Sequence, residues 1–174
     1  RELLRALELN PQLSEAYASF AGVKRHYHWD WVGAEEAYKK AISINPNYPE
    51  ARRWYSHLLL VLGRHQEAHQ QIDVGIELKP TSPIMYFGKA VIYLRESNFD
   101  AAKELGNRMV SLDPSYVNGL KILAQSEFGL GTFDESLRLA DEGAKKFNNH
   151  PMYLTAKMRA LRELDRLGDV KRLR

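Results

Sequence analysis

The chain has 174 residues, 44% of them hydrophobic and 27% charged, with a net charge of +3, a balance that excludes wholesale disorder. No run approaches 18 consecutive apolar residues, and the longest strongly apolar patch, Leu58–Leu62, is far too short for a membrane span. The absence of cysteine excludes disulfides and thiolate metal sites, while leaving the compartment open, because a cysteine-free domain survives in either redox state.

Residues 1–9 read as the end of an amphipathic helix, with Leu3, Leu4, Ala6, Leu7 and Leu9 as its stripe. They lack the charged–apolar–small order of a signal peptide. Asn10-Pro11 stops this helix, since proline disfavours helical geometry in the residue before it. The segment looks like the second helix of a pair whose first is absent, so the expectation is a chain cut from something longer. Ser14 is placed to cap a helix running to about His26, with Ala16, Tyr17, Phe20, Ala21 and Val23 as apolar content. A turn around His28–Asp30 leads to a helix from Trp31 to Ile44, which Asn45-Pro46 ends.

From there the register is strict. Pro46, Pro80 and Pro114 recur every 34 residues, as do the small residues Ala34, Ala68, Ala102 and Ser136. Such a period marks stacked helix–turn–helix units. Pro11 to Pro46 is one residue longer, an insertion placed in the turn near His28 or as a slip in the helix before it. Pro49 and Pro83 open helices of about 49–62 and 83–95, at first-turn positions where proline is tolerated. Gly63, Ser97 and Gly131 share the reversal point of each pair, and Trp29 holds it in the first full unit, which suggests a longer turn there. Second helices follow at about 65–78, 99–112 and 133–147, the last with Thr132 and Glu135 in capping-box spacing.

Three residues before each small position stand Trp31, His65, Phe99 and Phe133, large groups suited to the space between successive pairs. Seven residues after it stand Ala41, Gly75, Met109 and Gly143; helix-interior glycines imply close backbone approach, and Met109 breaks the pattern. Asn148 stands where another proline is due, and Pro151 opens a helix to about Arg166. Residues 145–174 hold nine Lys/Arg against three Asp/Glu, a basic segment that could meet an acidic partner or nucleic acid.

Little in the chain points to chemistry. His65 and His69 are spaced to chelate, but the run HQEAH fits no metalloprotease order, and packing accounts for His65. His26 and His28 sit in a turn beside Trp29 and Trp31. No phosphate loop, nucleophile elbow or cysteine nucleophile is present. An open array of helices offers a groove in place of a closed pocket for acid–base work. The sequence therefore calls for no cofactor, no metal and no catalytic residue.

The small positions, the large positions before them and the N-P, K-P and D-P repeat ends together resemble the tetratricopeptide repeat family over nearly the whole chain. The segment AEEAYKKAISINPNY (34–48) matches it best. Lys89, where the family prefers leucine, Gly75, Gly143 and Asn148 depart from it. His28–Ala68 is further similar to arrays appended to bacterial signalling and transcriptional regulators. The resemblance implies an all-α fold, an α–α superhelix or right-handed solenoid of helix–turn–helix repeats. It divides 1–174 into a partial repeat 1–13, repeats 14–48, 49–82, 83–116 and 117–150, and a partial repeat 151–174. First helices would line a concave groove, whose partner-facing side chains by family position are Arg53, His57, Leu60, Phe87, Val91, Leu94, Arg95, Lys121, Gln125 and Phe128.

That lining suits a protein or peptide partner with apolar anchors and some acidic character. Lys121 followed by Gln125, and Arg53 by His57, do not match the lysine-then-asparagine spacing of a carboxylate clamp. The expected function is a protein–protein interaction scaffold within a larger regulatory protein, cytoplasmic unless it is an extracytoplasmic domain of one. The alternatives are a homodimer formed through exposed terminal helices, such as Leu3/Leu7 and Leu154/Met158/Leu161, and nucleic-acid contact through Arg159, Arg162, Arg166, Lys171, Arg172 and Arg174.

Overall fold

The computed structural model describes residues 5, 10 and 12–165. The expected first helix stripe and the segment from Arg166 onward lie outside the described residues. The described residues form nine α-helices and no strand: α1 Ser14–Val23, α2 Trp31–Ile44, α3 Pro49–Val61, α4 His65–Leu78, α5 Pro83–Arg95, α6 Phe99–Leu112, α7 Asn118–Gly129, α8 Phe133–Lys146 and α9 Pro151–Glu163. They fall into two compact units, Arg1–Pro80 and Thr81–Arg174.

The helices begin and end for local reasons. Pro49, Pro83 and Pro151 occupy the first helical turn, where a missing N–H costs nothing. Asp30 and Asn98 cap α2 and α6 by accepting from the Gly33 and Ala101 amides at 2.8 and 3.2 Å. Two expected caps are absent. The Ser14 hydroxyl instead donates to the Ala41 carbonyl, tying α1 to α2, and the Thr132 hydroxyl turns back to Glu127.

Helix reversals use left-handed backbone at Trp29, Gly63, Ser97, Gly131 and Asp165, with φ of 55°, 75°, 57°, 80° and 55°. The 34-residue period is thus written in the backbone as well as the side chains. Trp29 does not depart from it. The amides of Arg64, Asn98 and Thr132 each close onto the carbonyl five residues back, whereas the Asp30 amide reaches six back to Lys24. The inserted residue is absorbed by a π-helical turn, Lys24–His28, ahead of an otherwise ordinary reversal. Asn148 and Asn149 are both left-handed (φ 49° and 54°), a conformation that proline's fixed φ forbids; this explains the missing proline.

In the first unit α1 packs on α2, α2 on α3 and α3 on α4, around a cluster of Ala18, Ala41 and Ala51. In the second unit each helix packs on the next, and α7 also touches both α5 and α9. Its core contains Ala90, Ala102, Met109 and Ile122, and then Leu120, Leu123, Ala124, Leu139, Ala144 and Tyr153. Ala34, Ala68 and Ala102 are fully buried, and Ser136 is almost so, its hydroxyl donating to the Ala124 carbonyl at 2.8 Å. Small residues here let paired helices close up.

Met109 now has an explanation. A Cβ on Gly143 would lie 2.0 Å from the Tyr153 ring, so glycine there is what admits tyrosine ten residues later. One repeat earlier the volumes are exchanged: Met109 is fully buried, and Gly119 stands at the tyrosine's position. In the first unit Ala41 and Ala51 meet as equals.

Candidate functional site

In the second unit, side chains of α5, α7 and α9 bound a cleft of about 870 Å³. Six of the ten residues expected from sequence line it: Val91, Leu94, Arg95, Lys121, Gln125 and Phe128. Phe87 adjoins it, with the Lys121 ammonium 5.4 Å from its ring centre and Tyr116 edge-on at 6.5 Å. Phe87, Val91 and Leu94 also pack against the Ala90–Met109 cluster, so these side chains serve the core and the cleft together.

Arg53, His57 and Leu60 lie on α3, in the first unit, and are half-buried. The Arg53 guanidinium stands 5.6 Å from the Trp54 ring centre. Burial, then the charges of Arg53 and Arg25, hold His57 down to about 4, so its imidazole is neutral at pH 7. Among the described residues its Nε2 has no hydrogen-bond partner.

The cleft includes residues the sequence reading assigned elsewhere. Phe99 and Phe133 were placed between repeats, yet both reach its wall, along with Gly129, Gly131, Arg159 and Glu163. Phe133 packs on Phe128 at 5.3 Å, and the Arg159 guanidinium stands 4.5 Å from the Phe128 ring centre. A Cβ on Gly129 would meet the Phe99 ring at 2.4 Å, so this glycine is what lets the ring sit at the rim. Arg159 was legible in principle. Val91, Gln125 and Arg159 are successive members of one 34-residue register, which the sequence reading stopped one step short. Arg162 is exposed and does not join the lining; Arg166, Lys171, Arg172 and Arg174 lie outside the described residues.

The electrostatics of the cleft are one-sided. The side chains of Arg95, Lys121 and Arg159 make no ion pair or hydrogen bond among the described residues, and only Glu163 opposes them in the lining. Elsewhere in the same unit cations are paired: Lys103 with Glu127 at 2.7 Å, Arg138 with Glu135 at 2.6 Å, and Lys157 with Asp141 at 2.5 Å. No group of three or more potential metal ligands occurs among the described residues. Nor is any described helix long and apolar enough to cross a membrane.

Antiparallel helix pairs in 34-residue register, with first helices walling a cleft, define an α–α superhelical repeat protein. Residues 30–87 match the family model described as tetratricopeptide repeat. The chain is 31% identical over 101 residues to human tetratricopeptide repeat protein 6, a match covering 57% of this chain and 19% of that protein. It is 22% identical over 148 residues to the DnaJ homolog subfamily C member 7 homolog of Schizosaccharomyces pombe, covering 76% of this chain and 31% of the relative. The chain thus spans less than a third of the curated relatives it matches.

Among solved structures, the type IV pilus biogenesis factor PilW superposes with a TM-score of 0.85 at 19% identity, over 98% of this chain and 79% of PilW. YrrB, described as a TPR protein with an unusual peptide-binding site, superposes at 0.70 and 16% identity, over 98% and 92% of the two chains. The chain belongs to the tetratricopeptide repeat family. Proteins of this family serve in general as protein–protein interaction scaffolds.

Proposed function

We propose that this chain is the partner-binding part of a larger regulatory protein, and that it captures a peptide or helix of its partner in the cleft walled by α5, α7 and α9. The observation that carries the reading is a solvent-open cleft of about 870 Å³ whose floor is aromatic and aliphatic: Val91, Leu94, Phe99, Phe128 and Phe133. Apolar surface left open between polar rims marks contact sites. Three helices supply the wall, and no nucleophile–base arrangement lies within it, which favours capture over chemistry.

The test is site-specific photocrosslinking. A photoreactive residue at Gln125, in the cleft, should yield partner adducts from cell extract, whereas one at the exposed Glu104 on α6 should not. Adducts formed equally at both, or at Glu104 alone, would refute capture in the cleft.

A further inference from the structure

The lining of the cleft says more about its occupant than that it is a peptide. Arg95 on α5, Lys121 on α7 and Arg159 on α9 place three cations around an aromatic floor, without carboxylate partners among the described residues. In a fold that pairs Lys103, Arg138 and Lys157 nearby, this leaves positive charge for an anionic ligand. Lys121 and Arg159 are moreover held against Phe87 and Phe128, where a cation gains from the ring face and remains able to donate at its edge.

Dimensions decide the conformation. Adjacent packed helices lie about 8–10 Å apart, so a cleft walled by three of them is about 20 Å long. Drawn out over that length, 870 Å³ gives a mean section of about 40 Å². A helix with its side chains is about 10–12 Å across, a section of roughly 80 Å², twice what the cleft offers. A strand needs about 4.8 by 10 Å, which fits, and about six extended residues at roughly 3.3 Å each cover the length. Along α7, Lys121 and Phe128 are seven residues apart, about 10 Å of helical rise, or about three residues of extended chain.

Resting on the groove reading above, we propose that the occupant is an extended acidic segment of about six residues. A large apolar side chain seats between Leu94, Phe99, Phe128 and Phe133. A carboxylate beside it meets Arg159, and a second carboxylate about three residues away meets Lys121. Arg95 at the rim adds attraction that added salt screens.

A displayed library of random ten-residue peptides, selected on the full chain at low salt, tests this. The expected result is enrichment of sequences with an aromatic or leucine anchor next to Asp or Glu and a second acid about three residues away. Fluorescein-labelled copies of the selected peptides should bind at least tenfold more weakly to Lys121→Glu/Arg159→Glu, and more weakly again in 0.5 M salt. The milder pair Lys121→Gln/Arg159→Gln, with melting curves alongside, keeps the result readable if charge reversal disturbs the fold. Enrichment of neutral or basic peptides, or of amphipathic sequences with anchors at helical spacing, overturns the acidic extended occupant and leaves the groove reading standing. Failure to recover any peptide whose binding depends on Phe128 overturns both.

Discussion

The two units close the joints between their repeats by different means. In the first, the joint is polar. Glu35 on α2 accepts from the Tyr55 hydroxyl at 2.7 Å, from Lys39 at 2.8 Å and from Arg64 at 2.7 Å, and Arg64 also grips Glu67. In the second, the joint between α8 and α9 is a ring laid on a glycine. Tyr153, fully buried, stacks on Phe147 at 5.7 Å, covers Gly143 and donates its hydroxyl to the Val117 carbonyl. A polar lock consumes an arginine and a lysine; a ring lock consumes none. The second unit can therefore turn Arg95, Lys121 and Arg159 toward its cleft. One helical scaffold thus carries two budgets of charge.

Removing the ring lock should cost most. Tyr153→Ala empties a packed site and is expected to destabilise the second unit by about 3–5 kcal/mol. Gly143→Ala forces a methyl toward the same ring and should cost about 1–3 kcal/mol. Urea denaturation gives the size of each loss, and amide hydrogen exchange gives its place: protection should fall in α8 and α9. Unchanged exchange there would show that Tyr153 does not hold this joint.

The polar lock should cost less, and its cost should depend on pH. Burial pushes the Glu35 carboxyl upward, but hydrogen bonds from Lys39, Arg64 and Tyr55 outweigh it and hold the group down to about 2, against an ordinary 4.5. A carboxylate with a depressed folded-state pKa stabilises fully above its unfolded value and loses that contribution as pH falls toward the folded one. Glu35→Gln should then cost about 1–2 kcal/mol at pH 7 after allowance for solvent screening. The gap to the parent should shrink from about pH 4.5 downward and be gone near pH 2. A gap constant over that window would mean that Glu35 acts through shape alone.

Much of this was legible in the sequence, because the period acts on backbone and side chains alike. Ala34, Ala68, Ala102 and Ser136 fixed the helix pairs, and Pro49, Pro83 and Pro151 fixed their starts. What escaped is non-local. The ring lock needs Gly143 read together with Tyr153, and Met109 with Gly119, whereas each position taken alone looks like an unexplained lapse. The cleft was half visible for a similar reason. Val91, Lys121, Gln125 and Phe128 follow from register, but Phe99 reaches the rim only because Gly129 has no side chain. Capping residues misled because Ser14 and Thr132 had other acceptors within reach, the carbonyls of Ala41 and Glu127, which no local pattern reveals.

The smallest effect distinguishes the turns of the two units. Ser97, in the second, and Trp29, in the first, hold left-handed backbone at the place where Gly63 and Gly131 do so freely. A left-handed L-residue costs roughly 1–2 kcal/mol, and glycine returns part of any relief as lost chain entropy. Ser97 is exposed and makes no side-chain hydrogen bond among the described residues, so Ser97→Gly should stabilise by about 0.5–1 kcal/mol. Trp29 is 70% exposed, but its ring lies 5.9 Å from that of Trp31, a contact worth about 0.5–1.5 kcal/mol. Relief and loss then nearly cancel, and Trp29→Gly should leave the melting temperature within a degree or two. A gain as large as that of Ser97→Gly would show that the indole contact contributes nothing. A clear loss would show that the π-turned reversal depends on Trp29, a role no glycine at the equivalent positions has.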